Sequence, residues 1–176
     1  MRVPLTLVLV LAVASCTSEL PTTPIVDDAK QDVVNLSKKP FWATTSLNFN
    51  LGVFADVTKP SWVGTITSDG TEYGIVFYTL GAEYRGPAFH FEERVEIYTS
   101  VNFDFATQTL DTGDLLIWGF NSGLVAPNNH WVANGVVEEA FDDFSTWEGR
   151  PFQFSGEVTY HPDGYPISAA GSFRVN

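Results

Sequence analysis

The sequence predicts an all-β protein whose folded part is a single antiparallel β-barrel, or a closed β-sandwich, of about eight to nine strands. From Phe41 onward, short runs of β-branched and aromatic residues alternate apolar and polar positions with a period of two, as strands do. Turn signals separate these runs. The 5 Trp, 6 Tyr, 14 Phe and 14 Gly residues of the 176-residue chain all follow residue 40, so the fold is assigned to residues 41–176.

The first element of the chain is an export signal. Arg2 precedes a short apolar run, residues 3–15, that ends in small residues, which is the layout of a secretory signal peptide. As a helix this run would be about 20 Å long, whereas a membrane crossing needs roughly 20 apolar residues. We therefore expect residues 1–15 to be a signal peptide that is removed, and no transmembrane helix in the mature protein.

The signal ends in Val13-Ala14-Ser15-Cys16. These four residues resemble the lipobox of bacterial lipoproteins. The resemblance implies cleavage between Ser15 and Cys16, followed by attachment of diacylglycerol and a further acyl chain to Cys16, the single cysteine of the chain. Because each buried CH₂ contributes about 0.8 kcal/mol, two or three acyl chains anchor a protein stably. The alternative is an ordinary secretory signal that ends in cysteine by coincidence.

The second element, residues 16–40, is predicted to be the lipidated cysteine and a flexible tether. It is rich in Pro, Thr, Ser and charge and lacks strand or helix periodicity over most of its length. Residue 17 is Thr, and in lipoproteins of enteric bacteria the absence of Asp at that place favours outward sorting. The expected location is therefore the bacterial cell envelope, with the protein lipid-anchored and exported, at the outer membrane or the cell surface.

The third element is the β domain, residues 41–176. Its predicted strands are 44–53, 61–67, 72–80, 88–99, 102–107, 114–120, 130–138, 152–160 and 167–175. The predicted turns are Ser68-Asp69-Gly70-Thr71, Asp111-Thr112-Gly113-Asp114 and Pro162-Asp163-Gly164-Tyr165.

Two kinds of strand are distinguished by their side chains. Strand 88–99 has an apolar face and an opposite face with His90, Glu92, Arg94, Glu96 and Tyr98, so it is expected to be half-buried. In contrast, residues 73–80 and 115–120 are apolar on both faces. A single-layer barrel has one inner and one outer face, so these two runs require a lid, a partner, a packed helix or the membrane.

A family resemblance supports the barrel. Ser61-Trp62-Val63-Gly64-Thr65-Ile66, followed by Ser68-Asp69-Gly70, resembles an opening strand and turn of uncharacterised prokaryotic β-barrel proteins. Residues 131–140, 147–150 and 170–175 are similar to the C-terminal half of those barrels and, more distantly, to the eight-stranded barrels of allene oxide cyclase and dirigent proteins. The resemblance covers residues 60–176. It implies barrel geometry and identifies no catalytic residue.

Charge and motifs narrow the function. The formal net charge is −12, which disfavours binding to nucleic acid. One cysteine excludes a disulfide framework, and no nucleophile or phosphate-binding motif is present, so no cofactor or metal is expected and an enzyme is not favoured. His90 and Glu92 are candidates for an acid–base pair or metal ligands in a polar lumen, or for an ordinary solvated strand face. Trp131 and Trp147 are candidates for ligand contacts at the rim.

Three functions are consistent with these observations. The first is a non-enzymatic, lipid-anchored barrel that binds a small apolar ligand or an envelope partner. The second is an isomerase or cyclase similar to allene oxide cyclase, with His90 and Glu92 in the lumen. The third is a purely structural or adhesive envelope protein, which a fully packed interior would favour.

Overall fold

The structure is a computed structural model that describes residues 40–51 and 58–176. The signal peptide 1–15, Cys16 and the tether up to residue 39 therefore lie outside the described residues. Within the described part the elements are β1 (Phe41–Phe49), β2 (Trp62–Ser68), β3 (Thr71–Arg85), β4 (Ala88–Tyr98), β5 (Val101–Asp104), β6 (Thr109–Thr112), β7 (Leu115–Val125), β8 (His130–Ala140), a 3₁₀ helix (Asp142–Trp147), β9 (Pro151–Tyr160) and β10 (Pro166–Val175).

Eight of these strands form one closed antiparallel barrel, which confirms the predicted fold class. Their order around the barrel is β1-β10-β9-β8-β7-β4-β3-β2, and β2 pairs with β1 again. Phe41 of β1 lies opposite Val175 of β10, and Thr44 lies opposite Thr67 of β2. Closure pairs both edges of the sheet, so none of the eight strands presents an open edge.

The predicted alternation of strand 88–99 is confirmed in β4. Because successive side chains of a strand point to opposite faces, every second residue faces the lumen. Phe91, Val95 and Ile97 are buried there, whereas Glu92 is exposed on the outside.

Two strands are longer than the pattern predicts. β3 continues to Arg85, because a bulge between Thr79 and Gly81 lets its pairing with β4 extend past the barrel. This last part of β3 is exposed, so no apolar alternation marks it in the sequence. β7 likewise continues to Val125.

The chain between β4 and β7 forms a separate hairpin, β5–β6, where the pattern predicts one strand at 102–107. It packs on the outer face of β2 and β3 in a second hydrophobic cluster: Val63, Val76, Tyr78, Tyr98, Val101, Phe103 and Leu110. This hairpin is the lid that the two-sided apolar run 73–80 requires. Gly74 permits the contact, because a Cβ at that position would overlap the backbone and side chain of Val101.

The 3₁₀ helix closes one end of the barrel, called the closed end below. Its Phe144 lies 4.8 Å from Trp147 and 5.8 Å from Tyr73 of β3, measured between ring centroids. Trp147 in turn lies 4.8 Å from Phe41, the first residue of β1. The chain therefore enters the barrel at its closed end.

The middle of the lumen is packed with aromatic rings. Phe154 stacks on Phe173 at 4.6 Å and meets Phe77 at 5.1 Å. Phe152 has room because Gly135 faces it, and a Cβ on that glycine would overlap the Phe152 ring. The closed end and the middle of the barrel are thus filled, and the free space lies at the other end.

Candidate functional site

A cavity of about 60 Å³ occupies the end of the barrel opposite the 3₁₀ helix, called the open end below. All eight strands of the barrel contribute to its lining, which consists of Leu47, Phe49, Trp62, Phe77, Thr79, Phe89, Phe91, Glu93, Val125, Trp131, Val158, Tyr160, Pro166 and Ala169. A single water needs about 10–15 Å³ of such space, so several waters or a slender organic group would fit.

Apolar rings form most of the wall. Trp62 and Phe49 meet edge to face at 4.8 Å near the ends of β2 and β1. Trp131 of β8 stacks on Phe154 at 5.7 Å with an interplanar angle of 18°. A wall of this composition favours an apolar ligand by burial, and a few polar groups then set its orientation.

Glu93 is the ionisable carboxyl in this wall. It is the inward-facing residue between Phe91 and Val95 on β4, and only 5% of it is exposed. Burial raises the pKa of Glu93 to about 8, and interactions with Thr79 and Asn121 offset part of that rise. Below about pH 8 the group is therefore an uncharged carboxylic acid.

The strands on either side place polar side chains beside Glu93. Thr79 of β3 and Asn121 of β7 are both direct partners of Glu93 in the strand register, and the bulge of β3 follows Thr79. Thr79 Oγ1 is 3.4 Å from Glu93 Oε1 and 2.9 Å from Ser61 Oγ, which donates to the Phe77 carbonyl at 3.1 Å. A line of hydroxyl groups thus connects the carboxyl to the backbone of β3.

Two buried polar side chains near the cavity lack hydrogen-bond partners. Asn121 is 5% exposed and lies behind the cavity lining; it is close enough to Glu93 to lower the pKa of that carboxyl, yet neither its Nδ2 nor its Oδ1 makes a hydrogen bond. The indole Nε1 of Trp131, also 5% exposed, has none either. An unpartnered buried polar group costs about 1–3 kcal/mol, so a molecule in the cavity that accepts a hydrogen bond from the Trp131 indole gains that free energy on binding.

The two predicted tryptophans are at opposite ends of the barrel. Trp131 lines the cavity, but it is buried in the wall, 5% exposed, rather than placed at the rim as predicted. Trp147 is 9% exposed and packs in the closed end, with the Arg150 guanidinium 5.9 Å from its ring. Trp147 is placed away from the cavity because the 3₁₀ helix turns its ring into the core.

His90 and Glu92 are on the outer face of β4. The alternation that places Phe91 and Glu93 in the lumen necessarily places their neighbours outside. The expectation of an acid–base pair of His90 and Glu92 in the lumen is therefore wrong. The two residues instead line an outer groove of about 510 Å³ beside the extended part of β3.

The remaining polar candidates give no metal centre in the described part of the chain. Among residues 40–51 and 58–176, no group of three or more His, Cys, Asp or Glu side chains is placed to hold a metal ion. In the acidic segment around the 3₁₀ helix, Glu139 accepts a hydrogen bond of 2.9 Å from the Trp118 indole.

Sequence reasoning missed Glu93, although a signal for it exists. On the apolar face of strand 88–99, the residues at every second position are Phe89, Phe91, Glu93, Val95 and Ile97. An acidic residue in the middle of an otherwise apolar face marks a buried carboxyl. Asn121 interrupts the inner face of β7 in the same way, but nothing in the sequence indicates that the two residues are neighbours.

Comparison of the chain with protein-family models, with curated proteins and with solved structures finds no significant match. None of the helical structure in the described residues is long and apolar enough to cross a membrane.

Proposed function

We propose that this protein is a lipid-anchored protein of the bacterial envelope whose barrel binds a small, mainly apolar molecule at its open end. The observation that carries the proposal is the apolar cavity whose wall contains the buried carboxyl of Glu93 and the buried, unpartnered indole Nε1 of Trp131. A core selected for stability alone would fill such a space with apolar side chains.

The lipid anchor rests on the lipobox-like residues that end in Cys16. The chain enters the barrel at Phe41, at the closed end, and the cavity is at the opposite end.

A second candidate is an isomerase or cyclase, the activity that the resemblance to allene oxide cyclase implies. The observation that favours it is Glu93, because a carboxyl with a pKa of about 8 in an apolar site is suited to proton transfer at neutral pH. In such an enzyme Glu93 would take the role first considered for His90 and Glu92.

Native mass spectrometry of the mature protein tests the binding proposal. We expect a small organic molecule to remain bound in the protein as purified from its bacterial host. Ala169→Phe places a ring in the cavity and should abolish this adduct, whereas Ala170→Phe, at the next and outward-facing position of β10, should retain it.

Circular dichroism of both variants establishes that they are folded. If Ala169→Phe does not fold, Val125→Phe at the cavity wall replaces it. The absence of any bound molecule, together with no change in melting temperature across a panel of lipids and sugars, would contradict ligand binding and favour the structural or adhesive role.

A further inference from the structure

We infer that the ligand is a linear, mainly apolar chain longer than the cavity, with an uncharged end inside it, and that the rest of the chain crosses Phe89 to reach a second subsite at the exposed ring of Tyr84. This inference rests on the proposed ligand-binding function and specifies the shape of the ligand. It is carried by the size of the cavity, by the half-buried residues where the cavity opens, and by the place of Tyr84 beside them.

The cavity is too small to hold a long chain. Its volume is about 60 Å³, and one water needs about 10–15 Å³ of such space, so about four to six non-hydrogen atoms fit. Trp131 stacks on Phe154 of the packed middle of the lumen, which closes the cavity on that side. Further atoms of a ligand must therefore pass out through the open end.

The cavity reaches the surface at the open end. Three residues of its lining, Phe89 of β4, Tyr160 of β9 and Pro166 of β10, are half-buried, whereas Phe91 and Val158 are buried. Phe89, Tyr160 and Pro166 are called the mouth below. A chain that leaves the cavity passes between them.

Tyr84 lies beside the mouth, on the extended part of β3. It is the direct partner of Phe89 in the strand register, and paired residues of antiparallel strands share a face, so its ring is on the side of the lumen. The two rings meet edge to face with their centroids 5.2 Å apart. Tyr84 is nevertheless 76% exposed, so most of an aromatic ring that continues the cavity wall lies in water.

Tyr84 also extends toward the far side of the mouth. β3 and β9 are four places apart in either direction around the barrel, so they lie on opposite sides of the lumen. Burial raises the pKa of Tyr160 on β9, and the Tyr84 phenol adds to the rise. An effect of that kind requires the two phenols to be close to each other across the mouth. Tyr84 therefore lies beside the path by which a chain leaves the cavity.

Charge limits the end of the ligand that is inside. An anionic group would be buried beside the Glu93 carboxyl, and the lining, as far as the described residues form it, contains no Lys, Arg or His to pair with it. A cationic group would require Glu93 to ionise in an apolar site, which burial opposes. Outside the cavity, a chain that covers the Tyr84 and Phe89 rings removes their apolar surface from water.

Three alcohols of increasing chain length test this inference: butan-1-ol, hexan-1-ol and octan-1-ol. Binding is measured by isothermal titration to the full mature chain with Cys16→Ala, which has no acyl chains and needs no bilayer. Butan-1-ol fits inside the cavity. Each further CH₂ should raise the affinity about fourfold if fully buried and about twofold if one side stays in water, so octan-1-ol should bind about tenfold or more tightly than butan-1-ol.

Variants of Tyr84 separate the second subsite from the cavity. Tyr84→Ala should weaken octan-1-ol about fivefold and butan-1-ol less than about twofold, because only the long chain reaches the ring. Tyr84→Phe keeps the ring and should bind octan-1-ol like wild type. Glu83→Ala, at the preceding and outward-facing position, is the matched control and should do the same. If Tyr84→Ala does not fold, Tyr84→Thr replaces it, since Thr is favoured in strands.

Ala169→Phe, which fills the cavity, should weaken both butan-1-ol and octan-1-ol. Octan-1-ol that binds this variant as tightly as wild type would lie elsewhere on the protein and overturn the inference.

The remaining outcomes also overturn it. Octan-1-ol that binds no more tightly than butan-1-ol, or equally well to Tyr84→Ala and wild type, would refute the second subsite and leave the binding function standing. Equal weakening of both alcohols by Tyr84→Ala would make Tyr84 part of the cavity itself. Failure of every alcohol to bind would refute the linear chain, and the bound molecule in native mass spectrometry would then decide the binding function separately.

Discussion

Replacing Glu93 by Gln removes an ionisable group from the barrel interior while keeping its shape and hydrogen-bonding capacity. The ordinary pKa of this carboxyl is 4.5, and burial raises it to about 8 in the folded protein. Below pH 4.5 the group is protonated in both states, so stability is not reduced. As pH rises from about 4.5 to about 8, the unfolded chain releases the proton while the folded protein keeps it, so stability falls.

The size of the effect follows from the pKa difference. One pKa unit corresponds to about 1.4 kcal/mol, so wild type should lose about 5 kcal/mol of unfolding free energy across this range, and no more above about pH 8. Glu93→Gln lacks this loss. The variant should therefore be nearly as stable as wild type at pH 5 and several kcal/mol more stable at pH 9.

Burial raises the pKa of Tyr160, the phenol in the same cavity, above its usual value of 10, so Tyr160 stays neutral throughout this range.

Urea unfolding at a series of pH values from 5 to 9 provides the measurement. Glu92→Gln is the control, because Glu92 is the exposed neighbour on the outer face, and a surface change is expected to stay within about 0.5 kcal/mol at every pH. If the unfolding free energies of Glu93→Gln and wild type remain parallel from pH 5 to pH 9, the assignment of a buried neutral carboxyl is refuted.

Three further predictions concern the hairpin, the closed end and the anchor. Gly74→Ala should lower the free energy of unfolding in urea by about 1–3 kcal/mol, because the new methyl group overlaps Val101. Gly81→Ala is the control and should lower it less, because its methyl group meets nothing within 4 Å. Equal losses of stability would contradict the packing of the hairpin on β3. Trp147→Ala should lower the free energy of unfolding by about 3–5 kcal/mol, because it leaves a cavity at the closed end. The variant should still retain the bound molecule in native mass spectrometry. Loss of the bound molecule would show that the two ends of the barrel are not independent. Cys16→Ala should abolish metabolic labelling with palmitate and release the protein from membranes, and a label that persists would refute lipidation at that residue.

The β class and the amphipathic strands were predictable because their signals are local. A period of two identifies a strand within a few residues, and β4 shows the inward and outward faces that the pattern predicts. The turn between β2 and β3 was predictable for the same reason. Asp69 and Gly70 adopt φ values of 49° and 81°, and an Asp-Gly pair is favoured in the hairpin turn that requires positive φ at both positions.

The candidate site was predictable only in part. Trp131 was identified from its place near a predicted loop, and it does line the cavity. His90 and Glu92 were chosen because ionisable residues at alternate positions suggest a polar lumen. The same alternation is equally consistent with an outer face, and the choice between the two depends on which face the rest of the barrel covers.

The sequence by itself determined the strands and their amphipathic faces, because these depend on neighbours along the chain. It also indicated that the run at 73–80 needs cover on a second face; the same expectation for 115–120 is wrong, because Phe120 on its outer face is 44% exposed. Only the tertiary structure decided that the β5–β6 hairpin covers the run at 73–80, that β1 closes on β10, and that the 3₁₀ helix fills one end. These features arise from contacts between residues far apart in the chain. The raised pKa of Glu93 also depends on the tertiary structure, because it results from burial among strands that only the closed barrel brings together.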